Sequence, residues 1–351
     1  MIGVLWNLFL FVLILGIIVF IHELGHFTWA KISGVYVYEF AIGMGPKLFG
    51  KKIGETEYNF RAIPIGGFCS MAGEDLQAVD EEKVPIEKRL QSKNVFQRFL
   101  IMFFGPGNNF ILALVILFFL ALIWGGTTLK PVVSDVMENY PAQQAGISSG
   151  DRILEINGRK VKTSDDVSLY LAIANKKKNN IIKVVKPNGY EVKYEVQPKK
   201  VKEDGKESYY FGLTIQQEKT HGFLNAIKYT GVKFCSLIKQ MFLTVKFLIT
   251  GDIGVNQLSG PVGIYNVVGQ QSKGGLANIL FLIAYLSINV GFLNLLPIPA
   301  FDGGHILFIL IEMIRRKPVN PNVENYIHAV GLALLMLLMV FVTIHDIIML
   351  F

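Results

Sequence analysis

The sequence predicts a polytopic α-helical membrane protein with four transmembrane helices, a membrane-associated β-hairpin or sheet, and one β-rich soluble domain. Three observations predict it. Of the 351 residues, 52% are hydrophobic and only 17% charged, too apolar a balance for a water-soluble chain of this size. Four stretches come near the roughly 20 apolar residues that cross a bilayer: Ile2 to Ile21, Phe96 to Trp124, Leu276 to Ile298 and Tyr326 to His345. Between the second and third lies a segment with turn signals and short alternating runs, the pattern of strands.

Residues 1–34 form the first segment. Met1 to Ile21 carries no charge, so it lacks the basic leading region of a secretory signal and reads as a retained span. Residues 35–94 are predicted as a cytoplasmic-side, membrane-associated β region and a surface loop. Val35-Tyr36-Val37-Tyr38 and Glu57-Tyr58-Asn59-Phe60 alternate, so Tyr36 to Met71 reads as a short sheet or hairpin and 74–93 as a charged connection. Residues 95–126 hold the second span, predicted to be interrupted at Gly105-Pro106-Gly107, where proline removes a backbone donor and bends the helix. Such a break is tolerated in lipid only where protein or water covers the freed carbonyls.

Residues 127–220 are predicted as the soluble domain. Ile181 to Lys186 and Tyr190 to Gln197 flank Asn188-Gly189, a two-residue hairpin signal. The run Ala145-Gly146 through Gly150-Asp151-Arg152-Ile153-Leu154-Glu155-Ile156-Asn157-Gly158 resembles the PDZ domain family in the form common in bacterial proteases. In 221–275 the apolar residues from His221 to Thr250 recur at helical spacing, with Lys228, Lys239 and Lys246 along one edge. Two readings stay open for this helix: lying flat at the outer membrane surface, or packing on the soluble domain. Residues 276–351 hold the third and fourth spans.

Short basic flanks set the orientation. Lys93, Arg98 and Arg315-Arg316-Lys317 mark cytoplasmic ends, which places both termini and the soluble domain outside the cytoplasm. Lysine and arginine outnumber acids 34 to 27, but the excess is scattered and no basic stripe carries aromatics, so nucleic-acid binding is excluded. Cys69 and Cys235 are the only cysteines, too few for a disulfide framework or a thiolate metal knuckle, and read as free.

The chemistry sits in His22-Glu23-Leu24-Gly25-His26. It continues the first span, so the two imidazoles lie one turn apart on one helix face and can grip one zinc ion. Glu23 is placed beside them to move protons. Ionisable groups at the end of an apolar span are costly, which marks them as functional. A catalytic zinc site wants a third protein ligand. No Glu or His follows at the spacing of soluble proteases, and the acid in apolar surroundings is Asp302, in Asn294-Leu295-Leu296-Pro297-Ile298-Pro299-Ala300-Phe301-Asp302-Gly303-Gly304-His305. Its prolines break the third span and its glycines permit close backbone approach, so Asp302 can turn inward at the depth of the histidines. His305 is either a fourth ligand or, since three ligands plus water is the catalytic count, a supporting residue. His328 and His345 on the last span are predicted to be helix-packing or interface residues, and Asn108 and Asn109 either to satisfy backbone near Gly105 or to line a substrate path.

These two motifs together resemble the site-2 protease family of intramembrane zinc metalloproteases, peptidase M50 type, nearest its bacterial members that cleave anti-sigma factors. Ile63-Pro64-Ile65-Gly66-Gly67-Phe68, Gly105-Pro106 with Asn109-Phe110, and Leu258-Ser259-Gly260-Pro261 support it. The resemblance implies one zinc ion held by His22, His26 and Asp302, with Glu23 as general base and acid. It implies a substrate-binding role for Asn294, Pro297 and Pro299, with Asn294 anchoring the substrate backbone; bridging of the broken helix is the other reading of Asn294. Expected substrates are single-span membrane proteins, such as an anti-sigma factor already trimmed outside, or remnant signal peptides. The expected location is the bacterial cytoplasmic membrane, with the active site near the cytoplasmic side. A membrane metal transporter or sensor, and a catalytically inactive PDZ scaffold, are the rival readings.

Overall fold

The computed structural model describes residues 2–74, 84–203, 206–254 and 260–348. Leu258-Ser259 and residues 75–83 of the charged connection lie outside them. The chain forms two compact units, Met1–Ile116 with Val255–Phe351, and Leu117–Gly254.

In the first unit, α1 (Ile2–Ile32) outruns the predicted span and carries it through His22 and His26 without a break. The helix α2 (Val95–Trp124) has Pro106 inside it. The predicted interruption at Gly105-Pro106-Gly107 is therefore not met: the helix continues. Proline removes one i to i−4 bond, and neighbours on two sides hold the helical course, Gly105 pressed on His26 and the Pro106 carbonyl on Gly291. The third span is split as its prolines predict. The helix α7 (Leu276–Leu295) stops before Pro297, a loop follows, and α8 (Asp302–Arg315) starts at the aspartate. Two further helices, α6 (Pro261–Ser272) and α9 (Pro321–Ile348), complete the unit. Four of these helices, α1, α2, α7 and α9, are long and apolar enough to cross a membrane. Ile14 and Ile18 of α1 pack with Val268 of α6 and Leu282 and Ile283 of α7, while most of the apolar face of α9 is exposed, as lipid contact requires.

The strands β1 (Val37–Ile53) and β2 (Thr56–Met71) form the predicted sheet, in a more folded form than a hairpin. Lys47–Ile53 pairs with Thr56–Arg61 across the turn. Residues 39–42 sit centrally, with Ser70, Cys69, Phe68 and Gly67 on one flank and Glu57, Tyr58, Asn59 and Phe60 on the other. Gly43, at φ 87°, allows the fold-back, since a Cβ there would meet the Ile63 carbonyl at 2.6 Å. The inner residues Val37, Phe40, Cys69 and Met71 share a core with Ala30 of α1, Ile101 and Met102 of α2, and Ile306 and Ile309 of α8. Burial pushes the Cys69 thiol above its ordinary range, which keeps it protonated and inert. The Arg98 guanidinium of α2 bonds Glu312 of α8 at 2.5 Å, tying the helix that begins at Asp302 to the helix that covers the histidines.

The second unit is β-rich. Its main sheet has the order β6 (Arg159–Lys160), β5 (Arg152–Ile156), β7 (Asn180–Val185), β8 (Glu191–Val196). Val185 pairs Glu191 around the Asn188-Gly189 turn, as predicted. The helix α4 (Ser164–Ala172) is opened by a Thr163 and Asp166 capping box. The long amphipathic helix α5 (Phe223–Thr250) belongs to this unit. Of its two open readings, packing on the domain is the one observed. Lys233 and Ser236 bond Asp165, Lys239 bonds Asp166, and Phe247 is buried in the domain core. Replacing Phe247 with Ala is expected to cost about 3 to 5 kcal/mol. Faster hydrogen exchange across Phe223–Thr250 in the full-length protein is the measurement; unchanged protection refutes the packing account.

Candidate metal centre

Three side chains from two distant parts of the chain converge, and α2 holds them in place. His22 and His26 project from one face of α1, one turn apart. The prolines after Leu295 end α7, and the chain re-enters as α8 with Asp302 in its first turn, where the helix N-terminus favours a negative charge. The Nε2 atoms of His22 and His26 are 3.2 Å apart. Asp302 lies 3.2 Å from His22 Nε2 through Oδ2 and 3.5 Å from His26 Nε2 through Oδ1.

These separations match a metal site. Zinc–nitrogen bonds of about 2.0–2.1 Å in tetrahedral geometry put neighbouring donors about 3.3 Å apart. Without a cation, two buried imidazole nitrogens at 3.2 Å have one N–H···N hydrogen bond to share, and it forms solely where one ring keeps its proton at Nε2. Asp302 Oδ2 is buried without a hydrogen bond, which is costly unless a positive partner sits there. The residues present therefore fit zinc.

The remaining imidazole atoms are set by α2. His26 Nδ1–H donates to the Ile101 carbonyl at 2.9 Å, which leaves the Nε2 lone pair for a metal. Asn109 of α2, 0% exposed, has its amide nitrogen Nδ2 3.4 Å from His22 Nδ1 and its Oδ1 buried without a partner. With the amide turned so that Oδ1 faces the ring, it accepts from Nδ1–H and fixes the same tautomer for His22. Ser287 of α7 donates to the Asn109 carbonyl at 2.9 Å, and Asn108 donates to the Ile21 carbonyl at 3.4 Å. Glycines make the approach close enough: a Cβ on Gly25 would stand 1.9 Å from the Phe104 carbonyl, and one on Gly105 would stand 2.2 Å from His26 Nε2.

Glu23 is half-buried, faces Gly67 of β2, whose Cβ would lie 3.6 Å from its Cγ, and meets the backbone amide of Cys69. The carboxylate that follows His22 is thereby held between helix and sheet rather than left to swing. Among the described residues the Asn294 amide, half-exposed, has no hydrogen-bond partner, and it does not bridge the broken helix. Pro297 is exposed and Pro299 half-buried in the loop that ends at Asp302. His305 is not brought to the cluster: its Nδ1 bonds Glu324 Oε1 at 3.1 Å and its ring stacks on His328. The positioning contact of Asn109 is a finding of the structure. A strongly polar residue in an apolar span beside Gly-Pro-Gly was the available signal.

An apolar helical fold with a His–His–Asp donor set and a glutamate beside it defines the class of membrane-embedded zinc metallopeptidases. The sequence model of Peptidase family M50 matches residues 10–338. A Clostridium perfringens protein named as a zinc metalloprotease is 41% identical over 332 residues, covering 94% of this chain and 95% of the relative. The regulator of sigma-W protease RasP of Bacillus subtilis is 34% identical over 412 aligned positions, covering 96% and 97%. The zinc metalloprotease RasP of Bacillus licheniformis is 35% identical over 412 positions, with the same coverage. The chain belongs to peptidase family M50 and is a zinc metalloprotease of the membrane.

Asn109→Leu is expected to weaken zinc binding about 10- to 100-fold, the usual cost of losing a partner behind a ligand, and Gly105→Ala more severely. Chelator competition on purified protein checks both; affinity equal to wild type refutes the packing account.

Proposed function

We propose that the protein hydrolyses peptide bonds of single-span membrane proteins at lipid depth, with His22, His26 and Asp302 as the zinc ligands and Glu23 as general base and acid. The observation that carries this reading is the convergence of three donors from α1 and α8 at the spacing of one ion, with Glu23 beside them. Zinc, when bound, supplies Lewis-acid polarisation of the scissile carbonyl. Glu23, fixed by Gly67 and Cys69, takes the proton of the attacking water and returns it to the leaving amine. The side chains of Glu23 and Asp302 are half-buried rather than sealed, and in this reading water and peptide reach the cluster past them.

A peptide in a helical span hides its amides, so it must be opened before attack. The segment Gly67–Met71 pairs on one flank with Val37–Ile42 and, among the described residues, with no strand on the other. That flank runs beside Glu23, and an extended substrate segment can add to it by main-chain hydrogen bonds. In this reading the Asn294 amide, which is left without a partner among the described residues, holds the substrate backbone, and Pro297 and Pro299 shape the loop that follows it. The name of the Bacillus subtilis relative, a regulator of sigma-W, supports an anti-sigma factor as substrate, already shortened outside the membrane; remnant signal peptides share the required single span. In this reading the chain sits in the bacterial cytoplasmic membrane, termini and PDZ-like domain outward, active site toward the cytoplasm, where Arg98 and Arg315-Arg316-Lys317 mark the inner face. The outward domain then keeps bulky, untrimmed substrates away.

Glu23→Gln should retain zinc and lose cleavage of single-span substrates by about 10²- to 10⁴-fold; cleavage near the wild-type rate rejects the assignment. Deleting 127–200 should admit untrimmed substrates, and unchanged selectivity counts against the filter. Cys235 is exposed and Cys69 buried, so an impermeant thiol reagent added to intact cells reports the orientation: labelling of Cys235 from outside is expected, and labelling solely after lysis reverses it.

A further inference from the structure

Asp302 stands at the end of the loop 296–301, which leaves α7 and turns into α8. This loop is gripped by α9, a helix that gives no atom to the metal cluster. The Ala300 amide donates to His328 Nδ1 at 3.1 Å. Ala300 has φ 80°, a left-handed conformation that a residue with a Cβ resists and keeps only when its surroundings hold it. One turn along α9, Gly331 lies against the same loop, and a Cβ there would stand 2.5 Å from Pro299 Cβ. His328 is itself fixed: its ring stacks on His305 with centroids 3.9 Å apart and planes at 15°, and His305 Nδ1 bonds Glu324 Oε1 at 3.1 Å. Glu324 sits one turn before His328 on α9.

His305, Glu324 and His328 lie as close together as the ligands of a second metal would. Their bonding speaks against that use. An imidazole that accepts a hydrogen bond at Nδ1 carries its proton at Nε2, so His328 has no lone pair to offer, and stacked parallel rings aim their in-plane lone pairs past each other. The group is built as a brace.

We propose that His328 is a positioning residue for Asp302: by accepting the Ala300 amide it holds the loop in the one conformation from which the aspartate reaches His22 and His26. Zinc affinity then depends on a helix that supplies no ligand. This rests on the reading of Asp302 as a ligand, and the experiment separates the two.

Zinc affinity is measured by chelator competition on full-length protein in detergent for wild type, His328→Leu, His328→Asn and Asp302→Asn, with cleavage assayed at limiting and saturating zinc. His328→Leu is expected to weaken zinc about 10- to 100-fold and to regain cleavage at saturating zinc. His328→Asn, whose side-chain oxygen reaches the Nδ1 position, should bind close to wild type, a rescue that mere filling of space between helices does not give. If His328→Leu does not fold, Gly331→Ala pushes on Pro299 from the same helix and should lower zinc affinity in the same way. Wild-type affinity in His328→Leu, or equal losses in the Leu and Asn variants, overturns the proposal while Asp302→Asn still loses zinc. Unchanged affinity in Asp302→Asn removes the ligand reading itself, and the brace with it.

Discussion

The Nε2 atoms of His22 and His26 on α1 and the two carboxylate oxygens of Asp302 on α8, with contacts of 3.2 to 3.5 Å between them, are the constraint that organises the membrane unit. Each is a polar atom withdrawn from water, and burial of such atoms is tolerated where a cation or a hydrogen bond answers every one of them. The second helix provides much of that answer. It offers a carbonyl at Ile101 to one imidazole, an amide at Asn109 to the other, and a glycine at 105 where a side chain would collide with the His26 ring. Its proline does not break it, because the same closeness that serves the histidines packs it on both sides.

The parts of this arrangement that were legible in the sequence are those with a local signature. The apolar runs announced the four membrane-spanning helices, and His22-Glu23-Leu24-Gly25-His26 at the end of the first announced its own face by helical spacing alone. Pro297 and Pro299 announced the split in the third span, since a residue without an amide proton cannot sit inside a helix without loss. What could not be read was pairwise. Nothing in the order of residues says that Asn109 meets His22, that Ala300 meets His328, or that residues 39–42 have partners on both flanks, because each contact joins positions far apart and leaves no periodic trace. Gly105-Pro106-Gly107 misled in an instructive way: the pattern carries a local penalty for a helix, and close tertiary contact outweighed it. The amphipathic helix after His221 was ambiguous for a related reason. An apolar face with a basic edge suits a lipid surface or a protein surface equally, and Asp165 and Asp166, which bond its lysines, belong to another element.

The division of labour between the two units follows from composition. The β-rich unit builds its core from Ile153, Ile156, Ile182 and Val184 with short turns and many surface charges, the economy of a domain in water. The membrane unit turns its apolar side chains outward and keeps its polar ones inside, as a protein in lipid must. The candidate zinc site resides in the membrane unit, while the family match over residues 10–338 takes in both. The 412 aligned positions of the two Bacillus relatives exceed the 351 residues of this chain, so those proteins carry internal stretches that this one lacks.

The doubly flanked strand at residues 39–42 has a consequence for how such a chain can diverge. Its alignment is fixed from both sides at once, by 57–60 and by 67–70, and an added or lost residue in either connection would turn one set of side chains from the protein interior to the opposite face. Changes of length leave that alignment intact chiefly at the turn Gly54-Glu55, where an insertion has only to keep the Glu55 ion pairs with Lys31 and Lys88. Homologous chains should accordingly accumulate their insertions at that tip and conserve the residue count on its inner side, so that gaps in an alignment of this region report its folding pattern without a structure.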